Sequence, residues 1–213
     1  MRKVMVLGVL GLAGTLASPA FADDYTGIRL GMGLSEDTYR RDIDYSVVGE
    51  QINDSQLGYS LFGGWALNKW LAFEGAYRFG TGYNHDFNLD PNFFPAHTLR
   101  SETRIKSFEP SVVGSWWITP KFGVYGRLGV WVWSGEVIFT EDLNTGDTFK
   151  PDQTRFTDNG TSVIYGAGLQ TTLDRAIVRI EYQQTDTSDF KGTTFTSLNN
   201  KVTSLLLSVV WKL

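Results

Sequence analysis

Large apolar residues recur at every second position through most of the chain, in segments of about ten residues. Ile28, Leu30, Met32 and Leu34 alternate with Gly27, Arg29, Gly31 and Gly33. Leu71, Phe73, Gly75, Tyr77 and Phe79 alternate with Ala72, Glu74, Ala76, Arg78 and Gly80. Val124, Gly126, Leu128, Val130 and Val132 alternate with Tyr125, Arg127 and Gly129, and Ala176, Val178, Ile180 and Tyr182 with Ile177, Arg179, Glu181 and Gln183. A last segment sets Leu205, Leu207, Val209 and Trp211 against Ser204, Leu206, Ser208 and Lys212. A period of two belongs to strands, because successive side chains leave opposite faces of the pleat. The pattern predicts eight strands, over 25–34, 57–67, 70–80, 104–118, 122–134, 161–172, 176–186 and 202–213. Their connections alternate between tight turns, at 67–69, 119–121 and 173–175, and long polar stretches, at 35–56, 81–103, 135–160 and 187–201.

The second face decides between fold classes. A soluble sandwich would carry ordinary solvent-facing Lys, Glu and Thr there. This chain carries mostly Gly, Ala and Ser with isolated Arg and Glu, which suits a narrow enclosed interior, while the large aliphatic and aromatic face suits lipid. The expected fold is all-β, an eight-stranded antiparallel up-and-down transmembrane β-barrel. Short turns would face the periplasm and long loops the cell exterior. Trp65, Trp70, Trp116, Trp117 and Trp211 fall at periplasmic strand ends and predict an aromatic girdle at headgroup level, with Trp131 and Trp133 near the opposite rim.

Composition narrows the compartment. Met1-Arg2-Lys3 is a positive n-region, Val4 to Leu16 an apolar h-region and Ala20-Phe21-Ala22 a small-x-small cleavage site. Residues 1–22 are expected to be a signal peptide and 23–213 the outer membrane β-barrel domain. Removing the signal leaves 191 of the 213 residues and, with Arg2 and Lys3 gone, moves the formal charge from −4 to −6. An acidic exported chain is a poor nucleic-acid binder. With no cysteine, disulfides, thiol nucleophiles and thiolate metal sites are excluded. Beyond the signal, no segment approaches the ~20 apolar residues of a membrane helix.

Glu74, Arg78, Arg127, Arg179 and Glu181 share the inner face and are expected to form a charged network, with Glu74 paired to Arg179 or Arg127. An ionised group in a narrow interior must be paired, since isolation costs several kcal/mol. The network either plugs the lumen or exchanges partners as a gate. His85 and His97 lie in the second outer loop near Asp86, Asp90 and Ser101, without a catalytic motif and without metal-ligand spacing, so no catalytic, cofactor or metal site is expected. Aromatics dot the loops: Tyr39 and Tyr45, then Phe87, Phe93 and Phe94, then Phe139, Phe149 and Phe156, then Phe190 and Phe195. They suit contact with a host surface, lipopolysaccharide or another protein, or packing among themselves.

The run from Leu61 to Tyr77, LFGGWALNKWLAFEGAY, resembles the second-to-third strand hairpin of the OmpA-like outer membrane β-barrel family. Val124-Tyr125-Gly126-Arg127-Leu128-Gly129 is similar to its fifth strand, and Gly166-Ala167-Gly168-Leu169 with Val178-Arg179-Ile180-Glu181-Tyr182-Gln183 to its sixth and seventh. The resemblance implies a bacterial outer-membrane location, interior ionic groups at Glu74, Arg127, Arg179 and Glu181, and a monomer contacting lipid and lipopolysaccharide. Two positions depart: Val113 stands where the family carries a lysine and Gln170 where it carries a glutamate. One charge of each sign is lost and the interior stays balanced. The end Trp211-Lys212-Leu213 resembles the signal read by the barrel-assembly machinery, and the family's periplasmic peptidoglycan-binding domain is not expected after strand eight. The implied role is structural, in membrane integrity with surface-exposed loops. A low-conductance pore, a surface adhesin and a soluble lipocalin-like binder are the alternatives.

Overall fold

The computed structural model describes residues 26–42, 51–80, 82–87, 97–143, 152–186 and 200–213. The expected signal peptide, and the aromatics Tyr45, Phe93, Phe94, Phe149, Phe190 and Phe195, lie outside them. The described elements are all strands: β1 (Gly27–Asp42), β2 (Gln51–Ala66), β3 (Leu71–Gly80), β4 (Tyr83–Phe87), β5 (His97–Trp117), β6 (Phe122–Leu143), β7 (Asp152–Leu173), β8 (Ala176–Asp186) and β9 (Asn200–Lys212). Each pairs antiparallel with its neighbours, β9 pairs with β1, and β3 and β4 both pair with β5, which closes an eight-staved barrel.

The third stave is split. From Phe79 to Tyr83 the chain takes four steps while its partner takes three, from Lys106 to Thr103, so the register shifts by one residue between β3 and β4. Gly82 sits there at φ +97°, a conformation that favours glycine, and its amide donates to Gln56 Oε1 at 2.6 Å. At the opposite end the turns are tight: Asn68 Oδ1 accepts from the amides of Trp70 (2.8 Å) and Leu71 (2.9 Å), and Thr119 Oγ1 accepts from Phe122 (2.9 Å).

Register fixes the geometry. Stepping across partners from Gly27 through Ala66, Ala72, Val113, Arg127, Gly166, Gln183 and Ser204 returns to β1 at Asp37, ten residues beyond the start. A stagger of ten over eight staves, with ~3.3 Å per residue and ~4.8 Å between strands, tilts the strands by about 40°. The wall therefore encloses a lumen that side chains fill.

Alternation sets the two faces. Leu30, Leu61, Phe73, Leu128, Val163, Leu169, Ile180 and Leu205 are exposed on the outside, whereas Arg29, Glu74, Arg127, Arg179 and Glu181 are buried inside. Two expectations need correction. The stretches at 35–56, 81–103 and 135–160 are not simply loops, because β1, β2, β4, β5, β6 and β7 continue into them. Their outward positions turn polar at Glu36, Arg40, Ser134 and Glu136, so the apolar period ends where lipid ends while backbone pairing goes on. Trp131 and Trp133 are no part of a lipid-facing rim either: they share parity with Arg127 and point inward, 3% and 2% exposed. The outward aromatics of that upper band are Tyr59, Tyr77, Phe79, Phe108, Tyr165 and Tyr182.

Candidate functional site in the barrel lumen

Among the described residues four arginines and four acids are buried: Arg29, Arg78, Arg127, Arg179, Asp37, Glu74, Glu109 and Glu181. They sort into two layers. In the layer nearer the tight turns Glu74, on β3, accepts from Arg179 Nη1 on β8 (2.8 Å to Oε1, 2.9 Å to Oε2) and from Arg127 Nη2 on β6 (3.0 Å). Both arginines named as alternatives from the sequence thus hold it together. Arg127 Nε donates to Glu181 Oε1 (2.8 Å) and its Nη1 to Ser111 Oγ (2.8 Å). The Tyr125 hydroxyl donates to Glu181 Oε2 (2.7 Å), and its ring lies 5.0 Å from the Arg179 guanidinium carbon. Charge-assisted bonds of this kind offset the cost of burying each ion.

Arg78 centres the second layer. Its Nη1 donates to Asp37 Oδ1 (3.3 Å) and Ser204 Oγ (2.8 Å), its Nη2 to Glu109 Oε2 (3.2 Å) and Gln183 Oε1. Gln183 bridges the layers, donating from Nε2 to Glu181 Oε1 at 2.9 Å. Above this layer an apolar lid closes the lumen: Trp131 stacks on Trp133 at 5.8 Å, Tyr39 meets Tyr83 at 5.1 Å, and Val137, Ile164 and Val202 fill between them. Tyr39, expected in an outer loop, is a lumen residue. A cavity of about 20 Å³, room for a single water, is left between lid and layer beside Arg78, Asp37, Trp131 and Ser204.

The five expected interior charges therefore all lie in the lumen, in two layers rather than one cluster. Asp37 and Glu109 were missed as partners of Arg78, and Arg29 as a further buried charge. The signal was parity: Asp37 follows Arg29 at an even spacing once the first strand is carried past 34, and Glu109 shares the face of Ser107, Ser111 and Val113. Glycines on the inner face make the room. A Cβ on Gly64 would meet Glu74 Cγ at 2.9 Å, and one on Gly166 would meet Glu181 Oε1 at 2.7 Å.

Of the tryptophans at the tight-turn end, Trp65, Trp70 and Trp116 are exposed outward and Trp117 and Trp211 are half-buried. Trp70 and Trp116 pack at 5.6 Å, Lys69 Nζ lies 4.9 Å over Trp70, and Trp117 Nε1 donates to the Lys69 carbonyl at 2.9 Å. His85 and His97 sit in β4 and β5, not in a loop; register sets His85 opposite Ser101 and His97 opposite Leu143, and their side chains lie outside the described residues.

A closed antiparallel barrel with an apolar exterior and a packed ionic interior defines a transmembrane β-barrel of the outer-membrane type. Residues 19–212 match the family model of the OmpA-like transmembrane domain, and the chain belongs to that family of outer-membrane proteins. It is 26% identical over 213 residues to outer membrane protein A of Escherichia fergusonii, covering 98% of this chain and 55% of that protein. The corresponding protein of Klebsiella pneumoniae is 25% identical over 194 residues, 90% of this chain and 52% of its own length. The chain thus spans about half the length of the curated relatives it matches. Among solved structures, Neisserial surface protein A shares the fold with a TM-score of 0.53 at 10% identity, over 87% of this chain and 97% of that one.

Proposed function

We propose that this chain is a non-enzymatic structural barrel of the outer membrane, which maintains envelope integrity and holds surface-exposed loops on a non-conducting base. The observation that carries this reading is the lumen: two ionic layers and an aromatic lid lie in series across it, and the cavity beside Arg78 and Trp131 has room for about one water. Glu74, Arg78, Arg127, Arg179 and Glu181 then act as a static plug, and Trp65, Trp70, Trp116, Trp117 and Trp211 anchor the periplasmic headgroup level. On this reading residues 1–22 direct export, 23–213 form the barrel domain, the barrel-assembly machinery inserts it as a monomer, and lipopolysaccharide packs around its outer half. The polar extensions of β5, β6 and β7 favour one addition, a surface role for the loops they lift above the lipid.

Two experiments test the proposal. Purified protein in planar bilayers should show no resolvable channel; steady openings would favour the pore. A strain lacking the protein should admit detergents and hydrophobic dyes, and re-expression should restore the barrier. An intact barrier in that strain would remove the structural role.

A further inference from the structure

We infer that the periplasmic half of the lumen holds a site for a small oxyanion, a carboxylate or a phosphate, built from the Nε–Nη2 edge of Arg179, the Gln170 amide and the Thr172 hydroxyl. Arg179 gives only Nη1 to Glu74; its Nε and Nη2 have no hydrogen-bond partner although the residue is 1% exposed. Gln170, directly opposite on β7 and 2% exposed, has neither amide atom paired, and Thr172 Oγ1, two residues further toward the tight turns, is also unpaired. Both residues share the inner face of β7 with Gly166 and Gly168. Three residues with unpaired polar atoms are thus neighbours on the inner face of β7 and β8.

The chemistry of these atoms selects the ligand. Unpaired buried donors cost free energy, most of all on a charged group. The Nε–Nη2 edge of a guanidinium offers two parallel N–H bonds, the fork that fits two oxygens of a carboxylate or phosphate. Gln170 Nε2 and the Thr172 hydroxyl add donors, so donors outnumber acceptors. The Tyr125 ring flanks the guanidinium at 5.0 Å and helps hold its plane. Because Nη1 stays on Glu74, the site fills without opening the ionic layer.

The test uses the full chain purified from membranes, titrated calorimetrically with sodium phosphate and with acetate against a chloride background of constant ionic strength. One site per chain is expected for at least one of the two anions, and the tighter of them identifies the ligand class. The Arg179 Nε–H resonance, assigned by its loss in Arg179→Lys, should move along the same titration. Gln170→Leu combined with Thr172→Val should weaken binding by at least about tenfold, the unboiled gel shift reporting that the barrel is still closed. Gln170→Glu supplies an internal carboxylate to the same edge and should abolish binding, which keeps the question answerable if the double variant fails to fold. No heat and no movement of the resonance in the wild type would mean that water fills the site, and would overturn the inference. Undiminished binding in both variants would place the anion on surface cations and overturn it equally.

Discussion

Glu74 answers two arginines at once, Arg127 and Arg179, where Glu181 is bonded to Arg127. Glu74→Gln should therefore cost about 3–5 kcal/mol, because it leaves Arg179 without a carboxylate and Arg127 with Glu181 alone in a water-poor interior; urea unfolding in lipid vesicles measures it, and wild-type stability would refute the pairing. The inner glycines make a second case. A Cβ on Gly166 would stand 2.7 Å from Glu181 Oε1 and 2.9 Å from the Tyr182 carbonyl, so Gly166→Ala should lose roughly 1–3 kcal/mol by overpacking. The face on which Glu74, Arg127, Arg179 and Glu181 lie is written in the period of two, since it needs only neighbours along one strand. Which of them meet is not: Glu74 and Arg179 are 105 residues apart, and their contact depends on strand tilt and stagger, which no local pattern encodes.

At the scale of the strand, alternation divides the wall into a lipid face and a lumen face that respond differently to charge. Leu128→Arg or Ile180→Arg, at exposed apolar positions of β6 and β8, should cost roughly 2–4 kcal/mol near mid-membrane. Arg at Thr157, on the polar extension of β7, should stay within about ±0.5 kcal/mol. Equal costs at the three positions, in the same unfolding assay, would mean that the faces are assigned wrongly. Strand ends were less legible than strand faces. The apolar signal stops near Leu34 and Ser134, where Glu36, Arg40 and Glu136 take over the outer positions, because water rather than lipid lies beyond. Backbone pairing does not depend on that apolar period, so β1 runs on to Asp42 and β6 to Leu143. Slow amide exchange across 36–41 and 135–142, comparable to the mid-membrane amides, is the expected outcome; rapid exchange throughout both segments would return them to loops.

In the whole molecule the three barriers stand in series, and that arrangement determines how the lumen responds to mutation. Current through a closed barrel is limited by its tightest constriction, so removing one barrier changes little while the others remain. Trp131→Ala with Trp133→Ala deletes the stacked pair of the lid and should cost several kcal/mol through lost packing, at about 3–5 kcal/mol for a fully buried tryptophan. Conductance should nonetheless stay at background, because Arg78 still holds Asp37 and Glu109 below the lid and Glu74 still holds Arg127 and Arg179 below that. The lid was present in the alternation from the start: with Val130 and Val132 facing lipid, Trp131 and Trp133 must face inward, and only the general preference of tryptophan for the headgroup level argued otherwise. Planar-bilayer recording of the double variant, folded as judged by its unboiled gel shift, decides the matter. Silence would mean that the ionic layers alone seal the lumen, whereas steady openings would make the aromatic lid the true barrier and the charge layers permeable.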